Sequence, residues 1–487
     1  MKHLYFVLFT ICISVIGLLT SCTNQQDGYV VLVSKVVAED AEWLSVAEKL
    51  AAKHHAEIVA YDQKPREVLA QIKELNPRYV AIVEKPEYLN KDFVIDMHKL
   101  SRKVDDDIYA DFLWGMITGY DASAAMKMVD NSTEPLLVKD AVATIMELNS
   151  AKWFDNYAWV DDHTRGLWGQ KRGRSSKVQF DTIDQKSVLR KFTDLYETYN
   201  PDLVVTAAHA TQRNLEMPFS LGNLRSKDGK LYADDHFSGE KWDLKESGKR
   251  KVYFAVGNCL IGDVNNTRES MAVAWMNGSN AATMIGYVVT TWHGRNGWGG
   301  LKYWVTSPDR YTLAEAIYMN QQDFLHQQHA WYPSLIEENY PTFEGNEFST
   351  VHEYLKGVLG KDPTLDQMGF WHDRDVLAYY GDPKWEVRLQ AVESEKDYAV
   401  EYKISGGQCV LKVMTSPNFS LERMKGDKFK QEHVLDLPFN YFFPKRLKNP
   451  RLAEGQAWDA VVDENFILIY NADFMPNKTY EIVLDVD

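Results

Sequence analysis

Short apolar runs and helical patterns take turns along the first part of this chain, and that alternation limits its fold more than any other feature. Residues 30–33, 56–61 and 79–83 read as strands, with helical periodicity at 39–53 and 65–75 between them. Strands spaced by helices form a parallel sheet with the helices on its faces. A strand at 114–118 and a helix from about Ala122 close this unit near residue 150. A second α/β unit starts at Trp153, with strands at 158–160, 203–206, 252–256 and 282–289 and helices at 185–199 and 269–276. Residues 211–250 are a polar excursion between two of those strands, of a length that is uncommon and often functional. Residues 312–380 are helical and rich in aromatics. Beyond Lys384 short alternating strands follow, at 385–389, 398–404, 408–414, 466–470 and 480–486, the pattern of a β-sandwich.

The N-terminus has a different character. Lys2 and His3 precede an apolar run over residues 4–19, which closes on Leu19-Thr20-Ser21-Cys22. A basic start, an apolar core and small residues before the cut make a secretory signal. The run is shorter than the roughly 20 residues a spanning helix needs. Cysteine directly after the cut resembles the lipobox of bacterial lipoproteins. That resemblance implies an exported protein, acylated at Cys22 and held to a bacterial membrane, most simply the outer one. The formal charge is −15, and removing residues 1–21 takes away Lys2, leaving −16. So acidic a body repels phosphate backbones, which excludes nucleic acid as a partner.

After cleavage only Cys22, Cys259 and Cys409 remain, so there is no disulfide framework. Cys259 either pairs with Cys409 or is a free thiol in an oxidising place. The expected strand at 203–206 runs into Ala207-Ala208-His209, and that at 252–256 into Gly257-Asn258-Cys259. Both reactive side chains thus fall just past the C-terminal ends of parallel strands, where α/β sheets place their ligands. The separation, 259 − 209 = 50, matches the caspase order of histidine before cysteine. An isolated thiol, with a pKa of about 8.5, is only slightly ionised at neutral pH. An adjacent imidazole and the following helix would raise that fraction.

These two strand ends resemble those of the caspase-like cysteine peptidases, and their surroundings are most similar to the gingipain branch. The stretch Gly278-Ser279-Asn280-Ala281-Ala282-Thr283-Met284-Ile285-Gly286 is like that family's small-residue turn and buried strand. The helix at 311–319 and Tyr380-Gly381-Asp382-Pro383 resemble the close of its catalytic unit, and Asp107-Ile108-Tyr109 resembles its first subdomain. The resemblance implies an α/β caspase-like sheet covered by helices, in two subdomains, followed by an immunoglobulin-like β-sandwich. The expected division is a signal at 1–21, subdomains at 22–150 and 151–384, and the sandwich at 385–487. It also implies Cys259 as nucleophile, His209 as base, and the backbone N–H groups of Cys259 and Ala210 as oxyanion donors. Asp162, with Asp161 beside it, takes the place of the acid that orients the imidazole. Trp292 and His293 take the place of the specificity pocket, with Trp298-Gly299-Gly300 in the same loop. Two positions depart from the family: Ala210 replaces a glycine, and Asn258 a small residue.

The reading is therefore a lipid-anchored cysteine endopeptidase acting on protein or peptide, with no cofactor. Asp105-Asp106-Asp107 offers a structural calcium site, and no other metal site is expected: His326 and His329 lack the glutamate of H-E-x-x-H. The alternatives are a peptidase-fold lipoprotein that binds or assembles without catalysis, and a glycan-binding surface protein, suggested by 14 tryptophans.

Overall fold

The computed structural model describes residues 27–145, 153–341, 348–391, 396–426 and 435–487. The signal, Cys22 and the expected boundary at 150 lie outside them. Twelve strands form one continuous sheet: β1 (Tyr29–Ser34), β2 (Glu57–Tyr61), β3 (Tyr79–Val83), β4 (Leu113–Ile117), β5 (Asp140–Ala143), β6 (Asn156–Val160), β7 (Leu167–Arg172), β8 (Gln179–Thr182), β9 (Leu203–Thr206), β10 (Lys251–Ala255), β11 (Ala281–Tyr287) and β12 (Leu377–Tyr380). Their order is β2-β1-β3-β4-β12-β11-β10-β9-β5-β6-β7-β8. β2-β1-β3-β4 is parallel throughout, as is β11-β10-β9-β5-β6.

The edge strand β2 leaves Glu57 and Ala60 exposed, whereas the inner strands β1 and β3 read as apolar runs because both of their faces are covered. Helix Ala41–His54 shows how. Asp40 caps it by accepting from the N–H groups of Glu42 and Trp43, and Trp43, Val46, Ala47, Leu50 and Ala51 form one buried stripe.

β12 joins the halves, antiparallel to β11 and parallel to β4. The turn after it is held where no side chain fits. A Cβ on Gly381 would stand 2.5 Å from Thr283 Oγ1, at a φ of 135°. Asp382, wholly buried, then accepts from Tyr29 OH at 2.8 Å and Lys53 Nζ at 2.8 Å, and pairs with His54 Nε2 at 2.6 Å.

Several expectations need correction. β5, numbered within the first expected unit, pairs with β9 in the second half. The excursion at 211–250 is an antiparallel five-stranded sheet, turned at Asp228-Gly229, where both residues have positive φ. Trp298-Gly299-Gly300 belongs to a wholly buried helix, Arg295–Val305, and not to a loop. A Cβ on Gly297 would lie 2.2 Å from Val256 O, so the glycine lets this helix press against the end of β10. The segment at 385–389 gives a strand, Val387–Leu389, that pairs with Leu136–Val138 of the α/β body and not with the sandwich.

The remainder is the expected sandwich. Tyr398–Ser405, Gln408–Thr415, Thr479–Asp485 and Arg451–Leu452 face Phe439–Phe442, Phe466–Ile469 and Ala460–Val462. Cys409, Leu411 and Val413 from one sheet meet Ile467 and Ile469 from the other. Alternate residues of the same strands, Phe442, Phe466 and Leu468, pack into the core of the α/β body. Each such buried side chain contributes about 1.5–3 kcal/mol.

Candidate active site

β9 and β10 are hydrogen-bonded parallel neighbours, with Thr206 opposite Ala255. His209 and Cys259 therefore leave the same mouth of the sheet. Between them sits Asn258, wholly buried, whose Nδ2 donates to Ala208 O at 2.8 Å and whose Oδ1 accepts from Thr206 Oγ1 at 2.7 Å. The departure at 258 thus has a structural use: the amide clamps the two strand ends together.

Cys259 is half-buried, and its thiol donates to the carbonyl of Thr291 at 3.5 Å. It is free, as is Cys409, which is buried in the sandwich core, so the two do not form the disulfide that was one alternative. Leu260 follows at a φ of 57°, a costly conformation for a side chain with a Cβ. It is held there by its N–H donating to Val289 O at 2.9 Å. A non-glycine residue in this region directly after a candidate nucleophile fits a sharp turn that lifts the thiol out of the sheet.

The thiol's acidity differs from expectation. Burial pushes the thiol pKa above its ordinary value, and the charge of Asp373 adds to that. The helix expected to favour the thiolate begins only at Met271, capped by Ser270, too far along the chain to act on Cys259. His209 is exposed, and among the described residues its imidazole makes no hydrogen bond with the thiol. Its backbone is fixed, since Glu216 N–H donates to His209 O at 2.9 Å. Ala210, buried, opens the strand Ala210–Thr211, which pairs with Asn214 and Leu215.

The two aspartates sit at the end of β6, separated from β9 by β5. Asp161 accepts from the N–H groups of His163 at 2.8 Å and Thr164 at 2.6 Å, so it caps its own loop. Asp162 lies 3.9 Å from His163 Nε2. Neither bonds to His209 among the described residues. Trp292 is half-exposed and lies over His372 with ring centroids 5.1 Å apart, while His293 is buried and stacks on Phe348 at 6.4 Å. Both rings thus gather on His372, with His293 5.9 Å from it.

One group went unread in the sequence. Asp373, wholly buried at the end of helix Leu365–Asp373, accepts from Arg295 N at 2.6 Å and Tyr287 OH at 3.3 Å, and its other oxygen lies 2.7 Å from His372 Nδ1. The run His372-Asp373-Arg374-Asp375 was the available signal, since charges in so aromatic a stretch must find partners when buried.

Of the acidic triplet, Asp105 and Asp107 gather with Asp463 of the sandwich, with carboxylate oxygens within 4.8 Å of one another, and Asp106 is not among them. These are the hard oxygen donors that calcium takes. Burial raises the carboxyl of Asp107 to about 6 and those of Asp111 and Asp463 to about 8, with the neighbouring acids adding to the shift. No helix among the described residues is long and apolar enough to cross a membrane.

No family model matches the sequence, and no curated protein matches it. Solved structures do show a remote likeness. A complex of Porphyromonas gingivalis RgpB pro- and mature domains aligns at 11% identity and a TM-score of 0.41, over 94% of this chain and 100% of that one. The Arg-specific cysteine proteinase gingipain R aligns at 11% identity and 0.42, over 95% and 99%. A third structure, described only as a protease, aligns at 10% identity and 0.40, over 81% and 86%. At such values the likeness is one of overall chain course, and the chemistry of the site has to be read from its own residues.

Proposed function

We propose that this chain is a lipid-anchored cysteine endopeptidase, with Cys259 as nucleophile and His209 as the group that moves its proton. The observation that carries the reading is the placement of both side chains at one sheet mouth, on strand ends that Asn258 clamps together. In the resting chain the thiol is protonated and turned to Thr291 O. Catalytic hydrogen bonds are often long before substrate seats, and the His209 imidazole is exposed at the same mouth.

The thiol then gives its proton to His209, and sulfur attacks the scissile carbonyl carbon. The oxyanion that forms is taken by the backbone N–H groups of Cys259 and Ala210, a contribution often worth about 3 kcal/mol. His209 returns the proton to the leaving amine as the C–N bond breaks, and water releases the thioester. Asp162 is the acid offered for orienting the imidazole, and Trp292 is the wall against which the side chain before the cleaved bond packs. Acylation at Cys22 holds the folded body to the membrane.

A second reading has its own support. The raised thiol pKa and the alanine at 210 suit a protein that keeps the peptidase fold for binding or assembly at the envelope. A thiol-directed acylating probe separates the two. A peptidase labels at Cys259 far faster than free cysteine at neutral pH and loses all labelling in Cys259→Ala. Labelling no faster than free cysteine, with no peptide cleaved, moves the conclusion to binding.

A further inference from the structure

Asp373 stands behind the thiol site and is joined to it by an unbroken chain of contacts. Its carboxylate caps the first turn of helix Arg295–Val305 through Arg295 N–H, at 2.6 Å, where the positive end of the helix dipole also favours an anion. The backbone carbonyl of Asp373 accepts from Asn296 Nδ2 at 3.1 Å, which fixes the second residue of that turn. Gly294, the N-cap, donates its N–H to Thr291 Oγ1 at 3.1 Å. Thr291 in turn offers the carbonyl that takes the Cys259 thiol. The helix cannot slide, because Gly297 is pressed against Val256 O and donates to Tyr287 OH at 2.7 Å. Tyr287 itself donates to Asp373 at 3.3 Å.

We propose that Asp373 is the positioning residue of this site, holding the Thr291–Gly294 loop so that the Thr291 carbonyl latches the Cys259 thiol in the resting enzyme. The latch fixes the direction of the thiol until a substrate displaces it. The proposal rests on Cys259 being the working nucleophile. The charged and titratable groups around the carboxylate are His372, Tyr287 and Tyr340, with the Arg295–Asp366 ion pair at 2.7 Å on the outer side of the same turn. Asp373 is the charge that acts on the thiol from this side.

The test is the pH dependence of Cys259 alkylation by iodoacetamide in the full chain, read by mass spectrometry on the peptide that contains Cys259. Asp373→Asn is expected to move the midpoint down by about one pH unit, the effect of removing a nearby like charge. Asp373→Glu, which keeps the charge, should stay near wild type. A midpoint unchanged in Asp373→Asn, or shifted equally in both variants, overturns the proposal. Should Asp373→Asn not fold, Tyr287→Phe decides: the carboxylate loses one donor, and the midpoint should rise. No movement there overturns it equally. Alkylation is read without any peptide being cleaved. A shift in a protein with no peptidase turnover would thus sink the peptidase reading while leaving the coupling of Asp373 to Cys259 in place.

Discussion

The sheet has two mouths that differ in what they do with polar side chains. At the first, the ends of β2, β1 and β3 bring together Tyr61, Ser34 and Glu84. Tyr61 OH donates to Glu84 Oε2 at 2.6 Å and Ser34 Oγ to Oε1 at 3.0 Å, so the buried carboxyl has partners on both oxygens. At the second, β9 and β10 deliver His209 and Cys259, and among the described residues these make no bond to each other. The topology is the same, parallel strands opening on one edge. A satisfied cluster locks its strand ends, whereas one with reactive atoms left over has them available for a ligand. The contrast, more than the presence of a cysteine, supports the role proposed for the second mouth.

The sharpest way to break the comparison is Cys259→Ala. It should remove labelling and turnover completely while leaving the melting temperature within a few degrees, because a half-exposed small side chain contributes little packing. Clear destabilisation with labelling elsewhere would make Cys259 a structural residue like Glu84. His209→Ala should slow labelling at pH 7 by about a hundredfold, with part of the rate returning as pH rises and the thiol ionises unaided. The double variant should be little worse than either single one, since such pairs act as a unit. Glu84→Ala should do the converse. It leaves two buried hydroxyls without an acceptor and should cost about 2–3 kcal/mol by denaturant unfolding, with Cys259 labelling unchanged.

A further effect, on pH dependence, is expected where the body meets the sandwich. Asp111 and Asp463 hold their protons up to about pH 8 in the fold, against about 4 when unfolded. Their contribution to stability is complete below about pH 4 and is lost as pH rises through about 8. The melting temperature should therefore fall from pH 5 to pH 9, and fall less in Asp463→Asn. A flat profile in wild type would mean that solvent reaches this cluster.

What the sequence shows most clearly is what depends on neighbours along the chain. The five residues of β3 are all buried, and so the strand reads as an unbroken apolar run. The mouth holding His209 and Cys259 was legible for the same reason, since a strand end is a local event. β12 was not, because its partners β11 and β4 lie far away in the chain and its antiparallel sense is chosen by packing. Helix Arg295–Val305 was hidden by its glycines, which oppose helix by propensity and are there to let two backbones touch. The sheet at 210–243 could have been found, because Asp228-Gly229 is a hairpin signal. Asp373 could not have been assigned, since what it does depends on a helix end that comes to it from elsewhere in the chain.

Strand Phe466–Ile469 belongs to two cores at once, Ile467 and Ile469 facing the sandwich and Phe466 and Leu468 the α/β body. A module that shares a strand in this way is not a cassette. Moved to another protein, or cut free by a protease, it would carry an uncovered aromatic face and stick to whatever it met. Chains of this kind should therefore diverge as wholes, with the sandwich and the body beneath it changing together at 442, 466 and 468, and not by trading the last hundred residues as a spare part.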